Sequence, residues 1–126
     1  MMIETRIQGL TYRLLQNPDD LGKLDRLFRE SFPGEDPDGV FNRFVHWIDS
    51  CPSGPGVQLV VCDGEKIVSS LSFLRQTITG FGKTYTGFLA STAMTALEYR
   101  GKGIYKNLTR LAFKELPKYG GDFIFG

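Results

Sequence analysis

Apolar residues recur along this chain with two different periods, and the change from one to the other divides it into segments. Leu21, Leu24, Leu27, Phe28 and Phe32 fall on one face of a helix, and Val40, Phe41, Phe44, Val45 and Ile48 fall on one face of a second helix over 40–49. From Val57 the spacing becomes that of strands. "VQLVVC", "IVSSLSFLRQTIT" and "KTYTGFLASTAMTAL" read as three strands joined by tight turns at "DGEK" and "GFG", which predicts an antiparallel meander. The helical period then returns as Ile104, Leu108, Leu111, Ala112 and Leu116, with Pro117 closing the helix. "LTYRLLQ" predicts a strand ahead of the first helix, and "DFIFG" begins another at the end.

Local chemistry places the boundaries. Asn17 can cap the first helix, with Pro18 as its first residue and Asp19 and Asp20 in its positive first turn. "FPGEDPDG" stops that helix, and "CPSGPG" is a loop. His46 shares the polar face of the second helix with Asn42, Arg43 and Ser50, which favours a solvated side chain over a catalytic one. Trp47 reads as a partial core or rim contact before it reads as a substrate platform.

Composition narrows the classes. A chain of 126 residues is one domain, residues 1–126, large enough to bury about two-thirds of the surface its unfolded form exposes. Fifteen basic against fourteen acidic residues leave a net charge of +1, so nothing global draws the chain to nucleic acid or to a membrane. Any anion site is therefore local. "MMIETRIQGL" lacks a signal-peptide core and no apolar run is long enough to span a bilayer, so a cytoplasmic protein is expected. Cys51 and Cys62 form neither a disulfide framework nor a metal-ligand spacing; no metal site is expected, and Cys62 reads as a packed thiol.

Two short stretches look like phosphate loops. "GFGKTY" holds the Gly-Lys-Thr of a nucleotide-binding loop, but the position that needs a further glycine is Thr77, and "KTYTGF" continues as a strand. A hairpin turn explains it. "RGKGIY" differs, because a strand leads in and a helix starts at once, leaving up to four N–H groups unpaired where glycines let a ligand approach. Arg100, Lys102 and Lys106 add positive charge, while Lys106 stands where a dinucleotide fingerprint requires glycine. From these residues alone, a phosphate site and a plain strand-to-helix turn are equally good readings.

The order of elements tips that balance. Arg100, Gly101, Lys102, Gly103, Ile104 and Tyr105, set between a strand and a helix, resemble the signature of the GNAT superfamily of acyl-CoA-dependent N-acetyltransferases, and "ALEYRGKGI" is similar to the family's approach to it, with Leu97 where proline is common. The likeness covers essentially the whole chain. It implies an α/β fold with a mixed sheet in β-α-α-β-β-β-α-β order, shortened by the family's last helix and two strands. It also implies that the amides of Gly101, Lys102, Gly103, Ile104, Tyr105 and Lys106 hold the pyrophosphate of acetyl-CoA, and that the backbone of Ala93, Met94 and Thr95 pairs with its pantetheine arm. Arg100 and the two lysines would meet its phosphates. Tyr105 stands where the family usually has Gly or Ala, yet an amide can serve while its ring points outward.

The reaction so implied is acetyl transfer to the amine of a small molecule or peptide, with N–H groups near Thr95 facing the oxyanion; no general base or acid is assigned, and Glu98 reads as solvent-exposed. "SFPGEDPDGVF" is the candidate acceptor lining. The alternative is a catalytically incomplete acyl-CoA-binding or interaction module. A homodimer that completes the sheet is expected if "DFIFG" leaves an open edge.

Overall fold

The computed structural model describes residues 4–16, 19–34 and 37–126. The chain runs β1 (Glu4–Ile7), β2 (Leu10–Leu14), α1 (Leu21–Ser31), α2 (Pro37–Asp49), β3 (Val57–Asp63), β4 (Lys66–Gly80), β5 (Lys83–Thr95), a 3-10 turn (Leu97–Tyr99), α3 (Ile104–Glu115), a second 3-10 turn (Leu116–Tyr119) and β6 (Phe123–Phe125). The six strands form one sheet in sequence order, antiparallel throughout except for the parallel pair β5–β6. The expected α/β fold with a mixed sheet is what forms.

One strand was not legible in the pattern. The region expected to hold a single strand is a hairpin, because Gln8 and Gly9 at φ 51° and 81° make a two-residue turn between Ile7 and Leu10. β1 buries no residue fully, so it carries no apolar alternation to read.

The first helix also starts later than expected. α1 begins at Leu21 behind Asp20, whose carboxylate caps nothing; Asn17 and Pro18, the expected cap and first residue, lie outside the described residues. The Asp20 carboxylate instead accepts two hydrogen bonds from the Arg13 guanidinium at 2.5 and 2.9 Å and one from the Gln16 N–H at 2.6 Å. Asp20 is only 1% exposed, and the Arg13 guanidinium holds its carboxyl below the usual carboxylate range against the opposing effect of burial. This pair ties β2 to the entry of α1. α2 starts at Pro37 rather than Val40, which suits proline at a first helical turn.

A single core cluster joins the sheet to its helices. Phe28 is its aromatic centre on α1, with ring centroids 5.5 Å from Phe41 and 5.1 Å from Phe44 of α2. On α3, the Asn107 amide donates to the hydroxyl of the buried Tyr12 at 3.1 Å, fixing that helix against β2. β6 is seated by reciprocal bonds, Asp122 N–H to Thr86 O at 2.7 Å and Thr86 N–H to the Asp122 carboxylate at 2.8 Å. Gly121 is required there, since a Cβ would fall 2.6 Å from the Phe88 ring.

Two residues counted on the buried helix faces are not buried. Phe32 follows α1 and is 46% exposed, and Val40 on α2 is 39% exposed; both line a cavity between described residues instead of the core. Both matter below. Among the described residues, no helix is long and apolar enough to cross a membrane.

Candidate functional site

The end of β5 and the start of α3 make the most chemically unusual stretch of the backbone. Ser72 pairs with Ser91 and Ser70 with Met94, so one residue of β4 stands opposite two of β5. Thr92 in this bulge has φ 46°, a left-handed conformation that costs a β-branched residue about 1–3 kcal/mol. No sequence signal marks it.

Beyond the bulge, β5 has a partner on one side only among the described residues. Its parallel pairing with β6 runs from Gly87 to Leu89 and stops. The Ala96 N–H donates to Val68 O at 2.8 Å, so strand alternation turns the N–H and C=O of Thr95 away from β4, and those of Ala93 likewise. Met94 faces inward, its carbonyl accepting from the Ser69 hydroxyl at 2.8 Å. Of the three residues expected to meet a pantetheine arm, Ala93 and Thr95 turn backbone groups to the edge, where the Thr95 carbonyl already accepts from Arg100 Nε, and Met94 supports them from inside.

The loop that follows leaves its amides free. Gly101 and Gly103 both have φ 77°, and the first hydrogen bond of α3 runs from Asn107 N–H to Gly103 O at 3.1 Å. Among the described residues, none of the amides from 101 to 106 has a protein acceptor. They sit at the positive end of a 12-residue helix, which favours an anion there. A Cβ on either glycine would meet nothing within 4 Å, so glycine is needed for its φ and the space before the loop is open.

Side chains hold this loop to the sheet. The Arg100 Nε donates to Thr95 O at 3.0 Å, and the Tyr99 hydroxyl donates to the Asp63 carboxylate. Asp63 raises the Tyr99 pKa by accepting that proton's hydrogen bond. The Lys102 ammonium stands 5.2 Å from the Tyr99 ring centroid. Tyr105 is 56% exposed on the first turn of α3, so its ring leaves the amides clear, and Lys106 and Glu98 are exposed as well.

A shallow cleft of about 360 Å³ joins both parts of the site, lined by Ser31, Phe32, Ala93, Met94, Thr95 and Arg100. The structure thus brings Ala93, Met94, Thr95 and Arg100 together, with 101–106 continuing along the loop. Phe32 is shared with a second cavity of about 300 Å³, walled by aromatic residues and reaching Thr92. Part of "SFPGEDPDGVF" does line these spaces, through Ser31, Phe32 and Val40, while 35–36 lie outside the described residues. The helical period sets Phe32 and Val40 on apolar faces as well as in that stretch, so their exposure, which opens the aromatic cavity, is what the sequence does not show.

"GFGKTY" is the hairpin expected of it: Gly80 pairs with Lys83 across Phe81 and Gly82, at φ 53° and 73°. Among the described residues, no group of three or more His, Cys, Asp or Glu side chains is placed to hold a metal ion.

Known structures share this fold. The chain is similar over 94% of its length to a GNAT family acetyltransferase from Staphylococcus aureus, at 16% identity, 85% coverage of that chain and a TM-score of 0.71. It resembles glucosamine-6-phosphate N-acetyltransferase from Arabidopsis thaliana at 16% identity, with 94% and 82% of the two chains covered and a TM-score of 0.67. A third likeness is to AAC(6')-Iy, solved with the bisubstrate analogue CoA-S-monomethyl-acetylneamine, at 13% identity, 93% and 78% coverage and a TM-score of 0.72. No curated protein matches the chain. The profile of the Acetyltransferase (GNAT) domain matches residues 11–126, nearly the whole sequence, and the chain belongs to the GNAT acetyltransferase family.

Proposed function

We propose that this protein binds acetyl-CoA at the β5 edge and α3 loop and transfers its acetyl group to a primary amine on a small molecule or peptide. The observation that carries the reading is the run of amides from 101 to 106 without protein acceptors, beside a strand edge left uncovered. Six consecutive donors at a helix start suit a diphosphate, and Arg100, Lys102 and Lys106 add charge of the matching sign. The edge groups of Ala93 and Thr95 suit an extended arm that carries amides of its own.

When bound, acetyl-CoA supplies an activated acyl carbon. The chain's own part is positional and electrostatic. The Thr95 N–H, pointing to the edge, is placed to receive the charge that develops on an acyl oxygen. The Ser69 hydroxyl holds that strand end from behind through Met94 O and the Thr95 hydroxyl, at 2.8 and 2.9 Å. The Thr92 bulge bends β5 at the junction of the two cavities, which supports an acceptor entering from the aromatic side. The names of two relatives, which specify glucosamine-6-phosphate and acetylneamine, support an amine as the acceptor group here as well.

The test is release of free CoA thiol from acetyl-CoA against a panel of amines. Amine-dependent release supports the transferase, and tight cofactor binding without release supports a binding module instead. We extend the reading to a pair of copies joined at β6, which bonds only to β5 among the described strands and exposes Phe123 and Phe125, with Phe113 exposed on α3. The mass in solution decides this, and a strict monomer rules it out.

A further inference from the structure

The aromatic cavity next to the cleft carries information about the acceptor. Its walls are Phe28, Phe32, Val40, Phe44 and Trp47, and the one charged side chain in its lining is Arg43. Trp47 is 65% exposed, so with Phe32 and Val40 the fold leaves three large apolar residues facing one open space. Arg43 has no hydrogen bond or ion pair to any described residue, and no carboxylate lines the cavity among the described residues. Phe32 belongs to both spaces, and Thr92 closes the aromatic one where it meets β5.

Resting on the acetyl-transfer reading above, we propose that the acceptor is an amine on an aromatic body that also carries a carboxylate, the chemistry of an aromatic amino acid. An aromatic ring packs edge-to-face or offset-stacked on such walls, a gain beyond its burial alone. A guanidinium pairs a carboxylate through a two-pronged hydrogen bond, and Arg43 and Thr92 line the same cavity, so an α-amino group beside that carboxylate stays within the space that reaches β5. The same wall disfavours two other kinds of amine. Among the described residues a polycation meets Arg43 and no counter-charge, and a sugar's hydroxyls find no partners on aromatic rings. In the step itself the amine nitrogen forms the bond to the acetyl carbon, the carbon–sulfur bond breaks, and the proton lost by nitrogen ends on sulfur, giving the N-acetyl amino acid and CoA thiol.

Trp47 is the sole tryptophan, so its emission reports binding directly. The probes are L-phenylalanine, phenethylamine, spermidine and glucosamine, titrated with and without acetyl-CoA, followed by thiol release. Phenylalanine should shift the emission with half-saturation at about fivefold lower concentration than phenethylamine, the worth of one exposed ion pair. Spermidine and glucosamine should leave it unchanged. In Arg43→Gln the two aromatic amines should converge. Preference for spermidine or glucosamine overturns the proposal, as does an Arg43→Gln variant that still prefers phenylalanine. Emission that varies with protein concentration alone also overturns it, because a second copy then covers Trp47. If acetyl-CoA still raises the melting temperature when phenylalanine neither binds nor is acetylated, only the acceptor class fails; if acetyl-CoA has no effect, the transferase reading beneath it fails.

Discussion

"GFGKTY" and "RGKGIY" are near twins in composition and opposites in use. Gly82 and Gly103 hold almost the same backbone angle, φ 73° and 77°, and neither would bring a Cβ within 4 Å of anything. The demand for glycine is therefore equal in both. What differs is where the amides go. Around Gly82 the chain re-enters the β4–β5 ladder at once, with Gly80 opposite Lys83 and Thr79 opposite Thr84. Around Gly103 the chain enters a helix, whose first turn leaves its own amides unpaired, and among the described residues no amide from 101 to 106 has a protein acceptor. Under the proposed function the anion site is a matter of unspent donors, which a glycine-lysine motif supplies only when a helix follows.

Several substitutions probe that contrast. The largest loss of stability should come from neither turn but from Asp20→Ala, which leaves the Arg13 guanidinium unpaired in a partly buried place and costs about 3 kcal/mol or more. At roughly 3–4 °C per kcal/mol for a chain of this size, thermal unfolding should fall by about 10 °C. The acetyl-CoA-induced rise should survive. Because the Asp20 carboxyl is held below its ordinary value of 3.8, its contribution is complete above that pH and is lost as pH falls through the lower folded value. The variant should therefore lose less stability than the parent between about pH 4 and pH 2, which acid unfolding curves will show.

Smaller effects belong to the loop's side chains. Arg100→Ala removes a charge and the tie to Thr95 O, and should weaken acetyl-CoA about two- to fivefold by calorimetry, with the difference shrinking in high salt. Tyr105→Ala should change affinity by less than about twofold, since the exposed ring is separate from the amide it sits on. A large loss from Tyr105→Ala would mean that the loop works through side chains and not through its backbone.

Much of this was legible in the sequence because it rests on local rules. The period of Ile104, Leu108, Leu111 and Ala112 fixed α3, the glycines fixed the loop, and the strand leading in supplied its context. β1 was hidden because an exposed edge strand needs no apolar alternation, leaving only Gln8-Gly9 as a turn signal. Asp20 read as a helix-turn acid because nothing local announces that Arg13, on another element, will claim it. The Thr92 bulge and the exposure of Phe32 and Val40 are tertiary outcomes that periodicity does not encode. For that reason the glycine loop ahead of α3 could be placed residue by residue from sequence, whereas 31–41 could be named only as a stretch, without the exposure of Phe32 and Val40 within it.

The most direct measurement uses the two glycines as a matched pair. Gly82→Val and Gly103→Val impose the same left-handed strain, about 1–2 kcal/mol, at two positions with equally open surroundings. Both variants should melt at similarly lowered temperatures without ligand. With excess acetyl-CoA, the parent and Gly82→Val should gain the same several degrees, and Gly103→Val should gain little or none. An equal gain in both variants, or no gain in the parent at millimolar acetyl-CoA, contradicts the account.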